Sequence, residues 1–181
     1  VAHSGGGISV GAHKNGKIIE VNNALNGDGP FAPTRSGKVP ATDLIEMCFS
    51  GKYSEEELKE LITKKGGLVS HLGTSDARDV VKMIAEGNEY AKLVYDAMIY
   101  QVAKEIGAQS VVLKGKVDAI ILTGGMAYDE YFIKTLKEYI SFIGKVVIIP
   151  GEEEMQALSN GVLRVLNGEE KAQEYTGVPV K

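Results

Sequence analysis

Two apolar runs without alternation, Ala119-Ile120-Ile121-Leu122 and Val146-Val147-Ile148-Ile149, organise the second half of the chain. Strands that are apolar on both sides predict a sheet covered on both faces by helices. Between them, residues 129–142 place Phe132, Ile133, Leu136 and Ile140 on one face of a helix. A last helix over 155–166 carries the stripe Met155, Leu158, Val162 and Leu166. Upstream, 88–106 reads as a long helix ending at Gly107; twelve of its nineteen residues are apolar, which predicts burial on most sides. Residues 76–86 read as a helix closed by Gly87, and 42–49 as a short one. Ser54 and Glu57 form a capping box that opens a helix to about residue 64. Gly66-Gly67-Leu68 reads as an interruption.

The period at the start of the chain is different. Residues 8–12 and 17–21 read as strands, and Asn15-Gly16 between them is a strong hairpin signal because both positions tolerate positive φ. Residues 22–40 form a loop, since Gly27, Gly29, Pro30, Pro33, Gly37 and Pro40 forbid regular structure. A loop of that length in a compact domain is functional or disordered. Only Val1 and Ala2 precede the first glycine-rich turn and its leading His3-Ser4. The sequence therefore reads as a single domain, 1–181, cut from a longer protein, with a helical insertion over about 41–108 and a polar tail from Gly168 expected to fray.

Composition narrows the classes of function. The 181 residues suffice for one large domain with a real core. A net charge of −4 argues against a nucleic-acid or anionic-membrane surface. No apolar run reaches the roughly 18 residues of a membrane span. The single cysteine, Cys48, excludes an internal disulfide framework and fits a reducing, cytoplasmic setting; its place in Met47-Cys48-Phe49 predicts a buried thiol. No His/Cys cluster suggests zinc and no Gly-x-Ser-x-Gly a hydrolase elbow. His13 reads as an exposed strand-end residue and His71 as a loop residue.

Three glycine-rich ends are the candidate chemistry. His3-Ser4-Gly5-Gly6-Gly7 sits at a strand-to-strand turn, where backbone N–H groups free of Cβ atoms close on an anion; a plain hairpin turn is the alternative. The Lys-Ser/Thr pair of a Walker loop is absent. Thr123-Gly124-Gly125-Met126-Ala127 follows a buried strand and precedes a helix, the place where open α/β sheets bind ligands; a tight strand–helix turn is the alternative. Pro150-Gly151-Glu152-Glu153-Glu154 also follows a strand. Its carboxylates suit either the helix dipole or a Mg²⁺ ion, with capping expected of two of the three. Arg35 in the long loop offers a rigid fork of donors for a transferring phosphoryl group, or is simply solvated. Asp76 is placed to cap the helix that follows it, and Arg78 to lie along a nucleotide or pair with an acid.

Taken together these segments resemble the acetate and butyrate kinase family, within the superfamily of sugar kinases, actin and heat-shock ATPases, and nearer its butyrate than its acetate kinases. The run 3–11, Asn22-Asn23-Ala24-Leu25 with Gly27-Asp28-Gly29-Pro30-Phe31, Cys48-Phe49-Ser50-Gly51-Lys52-Tyr53 and Gly66-Gly67-Leu68 carry the likeness. The resemblance implies an actin-like ATPase (ribonuclease H-like) α/β fold: a mixed sheet with helices on both faces and a helical insertion. It implies that His3, Ser4, Gly5, Gly6 and Gly7 hold the β- and γ-phosphates, Ser4 replacing the usual Leu. Asp76, Ala77 and Arg78 match a second nucleotide-contacting segment. Gly124, Gly125, Met126, Ala127 and Tyr128 match the adenosine segment, Tyr128 departing from the acetate kinase pattern. Arg35 matches the arginine that stabilises the transferring phosphoryl, and Glu153 the magnesium carboxylate. ATP or ADP and Mg²⁺ are the implied cofactors. A short-chain fatty acid or acyl phosphate, an upstream domain of the same protein and a homo-oligomer are the implied partners. An acetate, propionate or branched-chain acid kinase, and a non-catalytic nucleotide-binding domain of actin or chaperone type, remain the alternatives.

Overall fold

The computed structural model describes residues 1–174 and 177, so the end of the polar tail lies outside the described residues. The chain divides into two compact units, one spanning Val1–Gly151 and a second beginning at Glu152.

In the first unit, β1 (Ala2–Ser4), β2 (Ile8–Lys14), β3 (Lys17–Val21), β4 (Ala119–Gly124) and β5 (Lys145–Pro150) form one sheet in the order β3-β2-β1-β4-β5. β1 pairs antiparallel with β2 and parallel with β4, which pairs parallel with β5. The sheet is therefore mixed and open. β2 and β3 meet at Asn15-Gly16, both with positive φ (52° and 74°), the backbone that a two-residue hairpin of this kind requires.

The register sorts the faces. Ala2 stands opposite both Val10 and Leu122, Leu122 opposite Ile148, and Ile120 opposite Val146. This face holds the core, together with Met98, Ile99, Val102, Phe132, Ile133, Leu136 and Ile140. Those residues come from α5 (Glu89–Val112) and α6 (Glu130–Ile140), and the helical stripe expected in α6 is buried throughout. On the other face Ile121, Thr123 and Val147 are partly buried and Ile149 is exposed.

The insertion contains α1 (Ala41–Phe49), α2 (Glu55–Thr63), α3 (Gly67–Leu72), α4 (Ala77–Ala85) and α5. The Ser54–Glu57 capping box is formed, and Asp76 caps α4 by accepting the Arg78 N–H at 2.9 Å. Several expectations change. The interruption read at Gly66-Gly67-Leu68 is confined to residues 64–66: Gly67, at φ +59°, already begins the short helix α3, which puts His71 on a helix. α5 does not stop at Gly107 but continues to Val112. A helical glycine costs about 1 kcal/mol, and the burial of Ile106 and Gln109 on either side offsets it. Nor is α5 buried on most sides. Its inner face is, while Tyr90, Leu93, Tyr100 and Val111 are exposed. Cys48 is exposed, because α1 buries none of its residues and Phe49 stands in solvent.

The loop 22–40 is folded around a buried amide. Asn22 Oδ1 accepts the Val10 N–H at 2.6 Å, and its Nδ2 donates to the carbonyls of Ile8 and Asp28, each at 3.1 Å. The side chain thus continues the ladder of β2 where the backbone leaves it. In the second unit, α7 (Glu154–Leu166) buries no residue; its stripe of Met155, Leu158, Val162 and Leu166 is exposed.

Candidate functional site

β1 and β4 run parallel and end side by side, so their carboxyl ends deliver the first two glycine-rich segments to one edge of the sheet. The approach is close. A Cβ on Gly124 would overlap the Ser4 carbonyl oxygen and lie 2.8 Å from the Ser4 nitrogen, and Gly124 has φ +91°. Only glycine meets both conditions. From Gly124 the chain enters the 3-10 turn Gly125–Tyr128, which leaves Gly125 exposed while Met126 and Ala127 are buried. Nothing lies within 4 Å of where a Gly125 Cβ would be.

The turn after β1 is closed by the Gly5 N–H donating to the Gly7 carbonyl at 3.0 Å. Gly6 is exposed, and its carbonyl accepts from the Thr34 N–H at 3.3 Å and the Thr34 hydroxyl at 3.0 Å. The next residue is Arg35. Its guanidinium occupies the space where a Gly7 side chain would be, and a Cβ there would overlap Nη1 and Cζ and lie 3.0 Å from Nε. The structure thus brings together Ser4, the three turn glycines, Arg35 and Gly124. A partly buried guanidinium against a turn of three glycines is an arrangement for anions.

The Arg35 segment is held from behind. The Ala32 N–H donates to the Arg35 carbonyl, the Ser36 N–H to Ile62, the Gly66 N–H to Thr34, the Leu68 N–H to Ala32 and the Val69 N–H to Pro33, all between 2.9 and 3.3 Å. A Cβ on Gly66 would lie 2.8 Å from the Leu61 oxygen and 2.9 Å from the Arg35 carbonyl carbon, and one on Gly67 would overlap the Ala32 oxygen. Sequence reasoning passed over Thr34, Gly66 and Gly67 as site residues. The adjacent glycines at 66 and 67 were the available signal.

Asp76 and Arg78 bond to each other, Nε donating to Oδ1 at 2.9 Å and Nη2 to Oδ2 at 2.5 Å. The Arg78 side chain beside it holds the Asp76 carboxyl at about 2, well below the usual range. Of the two pairings open to Arg78, the acid is the one seen, while Ala77 begins α4. Glu153 is in the second unit, at the N-cap of α7. It has a left-handed backbone (φ 43°) and no capping hydrogen bond. Glu154 lies in the first turn of that helix, where its charge favours the dipole. Tyr128 is exposed, with its hydroxyl 3.0 Å from where a Gly151 Cβ would be. Gly151 itself exchanges two backbone hydrogen bonds with Gly124, at 3.0 and 3.1 Å, and accepts the Thr123 hydroxyl at 2.9 Å. His13 is exposed at the end of β2 as expected.

Residues 1–158 match the model of the acetokinase family. Over 175 residues the chain is 57% identical to butyrate kinase 2 of Clostridium acetobutylicum, covering 97% of this chain and 49% of that protein. Among solved structures, an acetate kinase from Porphyromonas gingivalis superposes with a TM-score of 0.79 at 27% identity, over 90% of this chain and 47% of that one. A propionate kinase from Francisella tularensis gives a TM-score of 0.75 at 24% identity, over 85% of this chain and 46% of that one, and shows the fold alone. The chain spans about half the length of the relatives it matches. Motif order, family model and architecture agree: the chain belongs to the acetokinase family.

Proposed function

We propose that this chain is the nucleotide-binding half of a kinase that transfers phosphoryl between ATP and a short-chain carboxylate, butyrate giving butyryl phosphate and ADP. One observation carries the reading. Arg35 is seated on the glycine turn at the paired ends of β1 and β4, so a cation and a backbone without side chains stand at one place. Phosphoryl transfer asks little covalent chemistry of a protein; it needs in-line positioning and positive charge against the equatorial oxygens. In this reading Gly5, Gly6 and Gly7 bind the β- and γ-phosphates, with His3 and Ser4 leading into the turn. Arg35 meets the transferring group. Gly124 to Tyr128 receive the adenosine, the open space at Gly125 admitting a flat base. Asp76, Ala77 and Arg78 complete the nucleotide contacts. The sequence relative's name favours butyrate among short carboxylates.

The residues fit magnesium in one way only. Among the described residues no three His, Cys, Asp or Glu side chains cluster to hold a metal. Mg²⁺ bound through substrate phosphates and waters needs one or two carboxylates, and we assign Glu153, which no capping bond engages. When bound, the ion would neutralise charge on the phosphate oxygens. The rest of the acyl site, with the other phosphate-binding groups, is assigned to the part of the protein outside this chain. We place the whole enzyme in the cytoplasm as a homo-oligomer; no helix among the described residues is long and apolar enough to cross a membrane.

The test is calorimetry of Mg-ADP and Mg-ATP on the wild type and Gly125→Val, with a hydroxamate trap for acyl phosphate in the complete enzyme. Gly125 is exposed and unobstructed, so valine should leave the fold intact and fill the base's space. Binding lost in the variant supports the reading. Binding that survives it overturns the adenosine assignment.

A further inference from the structure

Asp129 joins two parts of the fold. Its N–H donates to the Met126 carbonyl at 3.0 Å and closes the turn Gly125–Tyr128. Its Oδ1 accepts the Tyr131 N–H at 2.9 Å and caps α6. A cap needs only that oxygen. The other, Oδ2, is engaged from the insertion: the Tyr95 hydroxyl of α5 donates to it at 2.5 Å.

Tyr95 is fully buried. It stacks on Tyr131 with ring centres 6.1 Å apart and is tilted against Phe132 at 6.4 Å. A residue needed only for packing here requires no hydroxyl, because a buried hydroxyl must find a partner. This one finds the carboxylate that terminates the turn. A second link runs alongside. Tyr131 donates to Asp96 Oδ1 at 2.6 Å, and Lys92 donates to the same carboxylate at 2.5 Å. That link joins α5 to α6 and does not touch the turn.

We propose that Tyr95 is a positioning residue for the nucleotide, fixing through Asp129 the turn that receives the adenosine. The helical insertion thereby sets the geometry of a segment about thirty residues later in the chain. The inference rests on the reading above that Gly124 to Tyr128 form the adenosine site. Its counterpart within the same aromatic stack is Tyr131, whose hydroxyl serves only the joint between helices.

The pair provides a matched test in the complete enzyme. Tyr95→Phe and Tyr131→Phe each remove one hydroxyl and keep the ring. Tyr95→Phe is expected to raise the Mg-ADP Kd and the MgATP KM about tenfold, one well-placed hydrogen bond's worth, with the carboxylate KM unchanged. Tyr131→Phe is expected to leave all three within twofold, while both variants lower the melting temperature similarly. Asp129→Ser, which keeps a capping oxygen but is too short to reach Tyr95, should lose nucleotide affinity like Tyr95→Phe. It provides the measurement if Tyr95→Phe does not fold. Equal effects of the two phenylalanine variants on nucleotide affinity, or none from Tyr95→Phe or Asp129→Ser, overturn the inference. Gly125→Val separates the two levels. If it abolishes binding while Tyr95→Phe leaves nucleotide affinity unchanged, only the positioning role falls. If it binds normally, the adenosine assignment falls and the inference with it.

Discussion

Gly7 lies outside the left-handed region, so its backbone accepts alanine. What alanine cannot do is share space with Arg35. The new methyl would overlap the guanidinium, which must retreat by more than about 1 Å to regain an ordinary separation of roughly 3.5 Å. The displaced atoms are the far end of a flexible side chain, so the fold should survive. Removing a glycine also restricts the unfolded chain, worth about 0.4–1 kcal/mol in favour of the native state. Catalysis should not survive so well. Misplacement by about 1 Å of a group acting on a transferring phosphoryl costs roughly 10²-fold, and outright loss of such an arginine about 10³-fold or more. In the complete enzyme, Gly7→Ala should therefore lower turnover by roughly 10²-fold with a near-native melting temperature, and Arg35→Ala by about 10³-fold. The decisive term is the coupling. If Gly7→Ala acts by moving Arg35, adding it to Arg35→Ala should cost little more, leaving about 2–3 kcal/mol of interaction energy in the double-mutant cycle. Acyl phosphate trapped as hydroxamate gives the rates. Strictly additive losses would show that alanine damages the turn's own anion contacts, and the seating of Arg35 on Gly7 would then have no bearing on the reaction.

Two further outcomes follow from residues outside that contact. Asn22→Ala deletes a buried side chain with three hydrogen bonds and leaves the Val10 N–H without its acceptor. A loss of about 2–4 kcal/mol is expected in urea unfolding, and a loss below about 0.5 kcal/mol would mean that water replaces the amide at no cost. Asp76 should titrate near 2 by NMR, and in Arg78→Ala its midpoint should rise toward the ordinary carboxylate value. The sign follows from the depressed value: any stabilisation from the pair is complete above an unfolded pKa of about 3.9 and fades as pH falls through about 2. An unchanged midpoint in the variant would show that the cap alone depresses it.

What the sequence disclosed was mostly local. The Asn15-Gly16 hairpin, the Ser54 and Asp76 caps and the α6 stripe each depend on residues a few positions apart, and each forms as expected. Gly107 misled because glycine's cost in a helix is small beside the burial of its neighbours, so tertiary packing decides whether it punctuates. Gly67 misled differently: at φ +59° it opens α3 from a left-handed backbone that glycine favours. Phe49 and Cys48 misled because an apolar triplet does not reveal what packs on it. Within the site, the glycine turn and the Thr123-Gly124 end were legible as motifs. Their contact was not, because Ser4 meets Gly124 only through a parallel ladder. Likewise nothing local says that Arg35 lies on Gly7, or that Gly66 and Gly67 are bare so that the arginine segment can approach.

That parallel ladder has an entropic consequence. Ala2 pairs with Leu122, so the centre of the sheet closes a loop of about 120 residues. The entropic cost scales as 1.5RT ln n, about 4 kcal/mol for such a loop, whereas the β2–β3 hairpin closes over two residues. The hairpin and the α5–α6 pairing carry little of this cost, which falls on the β1–β4 seam. The seam that joins the two glycine-rich segments is thus the pairing of the sheet with the largest separation along the chain. A bound ligand bridging those segments would act directly on that pairing, offsetting by mass action part of the entropy its closure costs.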